Sequence, residues 1–193
     1  VTETSFVQTA ARAALIALLT VGTLVAAAPA AAQVQETYTF SGSLLAGLAG
    51  STDADPGNGI DNVALQLGFN FVIKPRTQLA LRLGRFDLDS DDRFGGLRDA
   101  ELTYLTVGGE YRLSEGYYDS GVFAGLGVYD LDGTPVSGDA DSQTAAGLHL
   151  GALGDFTLTR RLSFLVELSG HYVDLDDANF FVMGMAGVGF HFR

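Results

Sequence analysis

Phe180–Arg193 reads FFVMGMAGVGFHFR. Its even positions, Phe180, Val182, Gly184, Ala186, Val188, Phe190 and Phe192, are apolar or Gly throughout. Its odd positions run Phe181, Met183, Met185, Gly187, Gly189 and His191, smaller and more polar towards the C-terminal end. Side chains alternate faces along a strand, so the stretch reads as one β-strand with a greasy outer face. At an open sheet edge a strand this apolar would aggregate. Pairing it with the first strand of a closed barrel removes the edge.

Upstream of it the same unit recurs. Alternating strands are expected at about Thr37–Ala49, Asp61–Ile73, Gln78–Leu88, Glu101–Leu113, Tyr118–Asp130, Gln143–Phe156 and Leu162–Val173. Asp61–Ile73 is the plainest: Val63, Leu65, Leu67, Phe69, Phe71 and Ile73 share one face, and Ala64, Gln66, Gly68 and Asn70 the other. In Gln78–Leu88 the parity breaks after Gly84, because Arg85 would face out with the leucines; a bulge, or the strand's exit from a membrane, is the expected cause. The count is eight, and the fold class all-β: an eight-stranded antiparallel up-and-down transmembrane β-barrel.

Connections alternate long and short. Ser51–Ile60, Asp89–Ala100, Leu131–Ser142 and Asp174–Asn179 are the longer or more acidic; Lys74–Thr77, Ser114–Tyr117 and Thr157–Arg161 are tight turns. Transmembrane barrels have short periplasmic turns and longer extracellular loops. Of the 17 Asp, 15 lie in or beside the four long connections, whereas Lys74, Arg76, Arg112, Arg160, Arg161 and Arg193 fall at the opposite end. This zoning reconciles 47% hydrophobic residues with a net charge of −12. An acidic chain with 11 Lys+Arg against 23 Asp+Glu is no nucleic-acid binder, which needs a basic surface. Without cysteine there is no disulfide framework, thiol nucleophile or thiolate metal site.

Residues 1–32 read as a secretory signal peptide: Arg12, the apolar run Ala13–Ala28, and Ala30-Ala31-Ala32 as a small-x-small cleavage site before Gln33. The apolar run is short for a membrane span of ~20 residues. The expected organisation is a signal peptide at 1–32 and a barrel at 33–193. A soluble lipocalin-type barrel would turn its apolar face inward around a ligand; here the opposite face carries Gln, Asn, Arg, Glu, His and many Gly. An immunoglobulin-like sandwich would not need eight strands this long with one face so uniformly apolar.

Gly187, Phe190 and Phe192 resemble the C-terminal signal of bacterial outer-membrane β-barrels, a Gly followed by two alternating aromatics, with Arg193 after the aromatic on which such chains usually end. The mature chain as a whole resembles small OmpA/OmpX-like barrel domains, a porin-like architecture shared by proteins with unrelated jobs. The resemblance implies export through the periplasm to the outer membrane of a Gram-negative bacterium. It implies recognition of the last strand by the barrel-assembly machinery, contact with outer-membrane lipid and lipopolysaccharide, and a monomer without cofactor. No peptidoglycan-binding domain follows the barrel in this sequence, so an OmpA-type tether to the cell wall is not expected.

Candidate site residues lie in the lumen. Arg82 and Glu110 stand at matching heights on neighbouring strands and are expected to form an inward ion pair, with Arg112 close by; His149 and Glu167 are similarly placed on strands six and seven. An eight-stranded interior is just filled by side chains, and buried charges need partners, so the expected role is structural filling, with a gate as the functional alternative. Phe123, Tyr129, Leu165, Phe181, Met183 and Met185 point the same way and argue against an open channel. Asp87, Asp89 and Asp91 are spaced like the first ligands of a Ca²⁺ loop, but Asp92 occupies the glycine position and Arg98 the bidentate Glu position. That leaves at most loose divalent-cation binding beside lipopolysaccharide phosphates, and no firm metal site. No Ser is expected to stand two positions from any His, as the His-x-Ser pairing of deacylase-type barrels would require. The expected function is a non-enzymatic, structural or surface-interaction barrel working through its acidic loops. The alternatives are a narrow OmpW-like channel for small solutes, apolar ones included, and, more remotely, a lipid-modifying enzyme.

Overall fold

Alternation of apolar and polar side chains resolves into eight strands: β1 (Phe40–Ser51), β2 (Asn62–Lys74), β3 (Thr77–Asp87), β4 (Leu97–Arg112), β5 (Tyr118–Pro135), β6 (Gln143–Thr157), β7 (Leu162–Val173) and β8 (Phe180–Phe192). The structure is a computed structural model and describes residues 39–51, 62–88, 97–113, 118–135, 142–175 and 179–192. The expected signal peptide and most of the acidic loop residues, Asp89 and Asp91 among them, lie outside the described residues, as does Arg193.

Each strand pairs antiparallel with its sequence neighbours, and β8 returns to β1, from Phe40↔Phe192 to Ser51↔Phe181, closing the barrel. Pairing every strand on both sides leaves no open edge and keeps the backbone's hydrogen-bonding groups occupied, as hydrocarbon requires. Outward stand Leu44, Leu67, Leu81, Val107, Leu126, Leu150, Phe164 and Phe190, one from each strand, with Leu126 62% and Leu150 64% exposed. A continuous apolar belt of this kind is a lipid-facing surface, not that of a soluble monomer. Val166, Leu168 and Val188 share the outward parity and are half-buried by their neighbours.

The apolar parity of β3 ends after Gly84, as expected, but without a bulge. The β2–β3 register runs on through Leu65↔Arg85 and Ala64↔Phe86, and Arg85 faces out to pair with Glu101 (Nη1 to Oε2, 3.3 Å). Arg85, Thr103, Asp130 and Thr144 are successive partners across β3 to β6, and Thr144 donates a 2.7 Å hydrogen bond to Asp130. This polar row ends the apolar belt, so the strand's exit is the right account and a bulge is not. The register shifts lie elsewhere, between Val72 and Lys74 and between Arg98 and Glu101. The second surrounds Asp99, whose φ of 53° is left-handed.

β4 and β5 also run further than their sequence suggests: Leu97–Ala100 and Leu131–Pro135, expected as loop, are strand. Their inward side chains explain it. Phe86, Leu102 and Leu131 are successive cross-strand partners from β3 to β5, all buried, and join Phe181, Met183 and Val173 in an apolar core inside the upper barrel. The inward face is therefore not polar throughout.

Candidate functional site

Below that core the lumen is polar. Glu110 and Arg112 alternate inward on β4, Arg82 projects from β3, and Gln66 and Asn70 from β2; Glu167 projects from β7. Arg82 sits between two carboxylates, its Nη2 3.2 Å from Glu110 Oε2 and its Nε 3.3 Å from Glu167 Oε2. Its guanidinium carbon lies 3.9 Å from the centroid of the Phe123 ring, a cation–π contact. Arg112 Nε approaches Glu110 Oε1 at 2.8 Å, a charge contact whose angle is not that of a hydrogen bond. Arg112 Nη1 donates to Asp155 Oδ2 at 3.3 Å.

Neutral side chains complete the set. Asn70 donates to Glu110 (3.3 Å), Gln66 donates to Glu167 (3.1 Å), and Tyr104 donates to Gln66 Oε1 (2.8 Å). A connected network thus runs down the lumen from Tyr104 to Asp155. Arg82, Glu110 and Glu167 are all at least nine-tenths buried, where charges persist only with partners of this quality. Arginine stays protonated in proteins, so Arg82 and Arg112 interrupt any proton relay along it.

The His149–Glu167 pairing expected from sequence is not formed. The β6–β7 register sets His149 opposite His171, and Leu153 opposite Glu167. Glu167 is occupied by Arg82 and Gln66. The His149 ring stacks at 5.8 Å on His171 and lies 5.5 Å from Phe123. Sequence reasoning misjudged the shear: diagonal neighbours across the lumen are decided by barrel stagger, which alternation does not encode. For the same reason it missed Glu167 as a second partner of Arg82. Arg112, placed by the sequence both at the basic end and beside the Arg82–Glu110 pair, is buried in the lumen next to Glu110, whereas Lys74, Arg76, Arg160 and Arg161 are exposed at the short-turn end.

A second feature missed in the sequence is Ser169-Gly170-His171, the reverse of the His-x-Ser order. Ser169 Oγ is 3.1 Å from His171 Nε2, and Tyr129 Oη is 2.8 Å from His171 Nδ1. All three side chains are buried inside the barrel. The rings of Phe123, His149 and Tyr129 fill notches over Gly151, Gly125 and Gly147, where a Cβ would strike them. Asp87 is exposed at the end of β3, and among the described residues no three His, Asp or Glu side chains are grouped to hold a metal.

At the seam, Phe192 stacks on Phe40 at 4.7 Å, and Phe40 on Phe71 at 5.8 Å. Gly187 lies against Leu45 and the Leu44 carbonyl of β1, while Phe190 faces out.

Closure by β8 onto β1, eight strands and an outward apolar belt decide the architecture. The fold is that of a small outer-membrane β-barrel. Neisserial surface protein A is 15% identical, with a TM-score of 0.60 over 79% of this chain and 96% of its own. The N-terminal barrel of Pseudomonas aeruginosa OprF is 16% identical (TM-score 0.59, 81% of this chain and 100% of that one). Yersinia pestis Ail, the attachment invasion locus protein, solved with the heparin analogue sucrose octasulfate, is 17% identical (TM-score 0.51, 79% and 96%). No protein-family model matches the chain, and no curated protein matches it significantly. The barrel thus shares a scaffold with these proteins, and its own lumen and surface carry whatever is specific to it.

Proposed function

We propose that this chain is a non-enzymatic barrel of the Gram-negative outer membrane that acts structurally or through its surface. One observation carries this reading: the lumen is filled by the Arg82–Glu110–Glu167 network and by the apolar core above it. A pore needs a continuous wet path, and apolar constrictions exclude water. A barrel shut in this way presents its loops, and the loop segments of this sequence are acidic. The ligand solved with Ail is a polyanion. Fifteen Asp in or beside the long connections would repel such a ligand, so the contact surface suits divalent cations or a basic partner, with lipopolysaccharide phosphates bridged through the cations. The last strand would be read by the barrel-assembly machinery, and a monomer suffices.

Reading the barrel as a narrow channel has one observation behind it, a cavity of about 20 Å³ beside Arg82, Glu110 and Glu167. Against an enzyme stands the burial of Ser169, His171 and Tyr129, which gives a lipid or peptide substrate no approach. Planar-bilayer recording of the refolded barrel tests the proposal. Electrical silence is expected; a reproducible, solute-selective conductance refutes it in favour of the channel.

A further inference from the structure

The two halves of the lumen differ in what they admit. In the lower half Ser43, Asn70, Val72, Leu165 and His191 face inward yet are only half-buried. In the upper half Ala49, Ala64, Phe86, Leu102, Val173 and Phe181 have no exposed surface, and the rings of Phe86 and Phe181 meet at 5.4 Å. The cavity of about 20 Å³ lies in the lower half, lined by Ser43, Asn70, Arg82, Glu110, Arg112 and Glu167 among others. That is room for one water, which needs about 10–15 Å³ of such volume. Its charged lining is balanced, two guanidinium groups against two carboxylates, so a neutral ligand fits it better than an ion. Arg82 Nη1 is buried there without a hydrogen-bond acceptor, and Ser43 and Asn70 supply further polar atoms.

We propose that the barrel is a blind-ended vestibule: water enters from the short-turn end, resides beside Arg82, and is stopped by the apolar plug formed by Phe86, Leu102, Phe181 and Met183. The plug, and not the ion network, is the dry barrier. Water passing the plug would give up its hydrogen bonds without replacement, whereas the network offers donors and acceptors at every level. This holds whether or not the loops bind a partner.

The chain has no cysteine, so a single introduced thiol reports its own surroundings. Ser43→Cys lies at the cavity and Ala64→Cys in the plug, with Ala49→Cys as a second plug position should Ala64→Cys not refold. Each full-length variant is refolded in bilayer nanodiscs, checked for the gel shift of a folded barrel, and exposed to Ag⁺, a probe near the size of water. Unreacted thiol is then counted with maleimide after denaturation. Ser43→Cys should react readily and the plug thiols at least ~100-fold more slowly. Adding Phe181→Ala to Ala64→Cys should restore fast reaction. In the unsubstituted barrel, water cross-relaxation in NMR should reach the Arg82 side chain and not the Met183 methyl group. Equal reactivity of the two positions removes the plug. A Ser43→Cys as slow as Ala64→Cys, or an Arg82 without water contact, removes the vestibule. Either result overturns the proposal while leaving the conductance experiment to be judged separately.

Discussion

Removing Arg82 should destabilise the barrel more than removing either of its carboxylate partners. In Arg82→Ala, Glu110 keeps Arg112 and Asn70, but Glu167 is left with Gln66 Nε2 at 3.1 Å as its one donor. A buried charge stripped of its counter-ion costs about 3–5 kcal/mol. In Glu110→Ala no charge is stranded, because Arg82 retains Glu167 and Arg112 retains Asp155; the loss is that of hydrogen bonds to a charged group, about 1.5–3 kcal/mol. The pairwise coupling of Arg82 with Glu167 should therefore exceed that of Arg82 with Glu110, and the Arg82→Ala, Glu167→Ala double variant should recover at least ~1 kcal/mol of the sum of the singles. Urea unfolding in detergent micelles measures this, followed by circular dichroism and the folded-barrel gel shift, since the chain has no tryptophan. If the Arg82–Glu167 coupling is below about 0.5 kcal/mol, or no larger than the Arg82–Glu110 coupling, the shared-arginine account is wrong.

Phe192→Ala removes the stack on Phe40 and should lower the stability of refolded protein by only about 0.5–1.5 kcal/mol, while reducing the amount of assembled barrel in cells several-fold; equal, mild effects in both assays would argue against a recognition role for the last strand. Gly47→Ala puts a Cβ onto the Gly184 carbonyl across the β1–β8 seam and within 2.7 Å of Met185 Cα, and should cost at least about 1–3 kcal/mol. Gly109→Ala, which meets nothing within 4 Å, should be neutral or stabilising by about 0.4–1 kcal/mol; the contrast is read by the same unfolding assay. Sequencing the N-terminus of protein isolated from outer membranes should give Gln33 first, and a retained Ala13–Ala28 would refute cleavage.

The strands were legible because a period of two with one apolar face has few other physical readings. From Val63 to Ile73 every odd residue is apolar, and the structure turns all six outward. Arg85 looked like an error in that pattern because it was judged against lipid; the parity was sound and the environment had changed. The ends of β4 and β5 were illegible for the related reason that Asp132 and Asp99 read as loop chemistry. They are compatible with strand where the outer face meets water. Within the lumen, Arg82 and Glu110 could be matched by height on adjacent strands. The Arg82–Glu167 contact spans the lumen from β3 to β7, and the barrel's shear, which no single strand records, sets it.

The polarity of the barrel inverts along its axis, and the inversion bears on what the protein is for. Up to the row of Arg85, Thr103, Asp130 and Thr144, leucine and valine face out and charged side chains face in. At and beyond that row Arg85, Asp87, Glu101 and Asp132 face out, while Phe86, Leu88, Leu102, Leu131 and Leu175 face in. The upper strands obey the rule of a soluble protein. Were they in hydrocarbon, an outward Arg near mid-plane would cost about 2–4 kcal/mol. The strands therefore project past the lipid carrying their own core, where each fully buried Phe or Leu contributes about 1.5–3 kcal/mol. A channel gains nothing from such an extension and lengthens its dry barrier by it. A protein that offers its rim to the outside gains a rigid mount for that rim, held clear of the lipid surface, which supports the surface role proposed above.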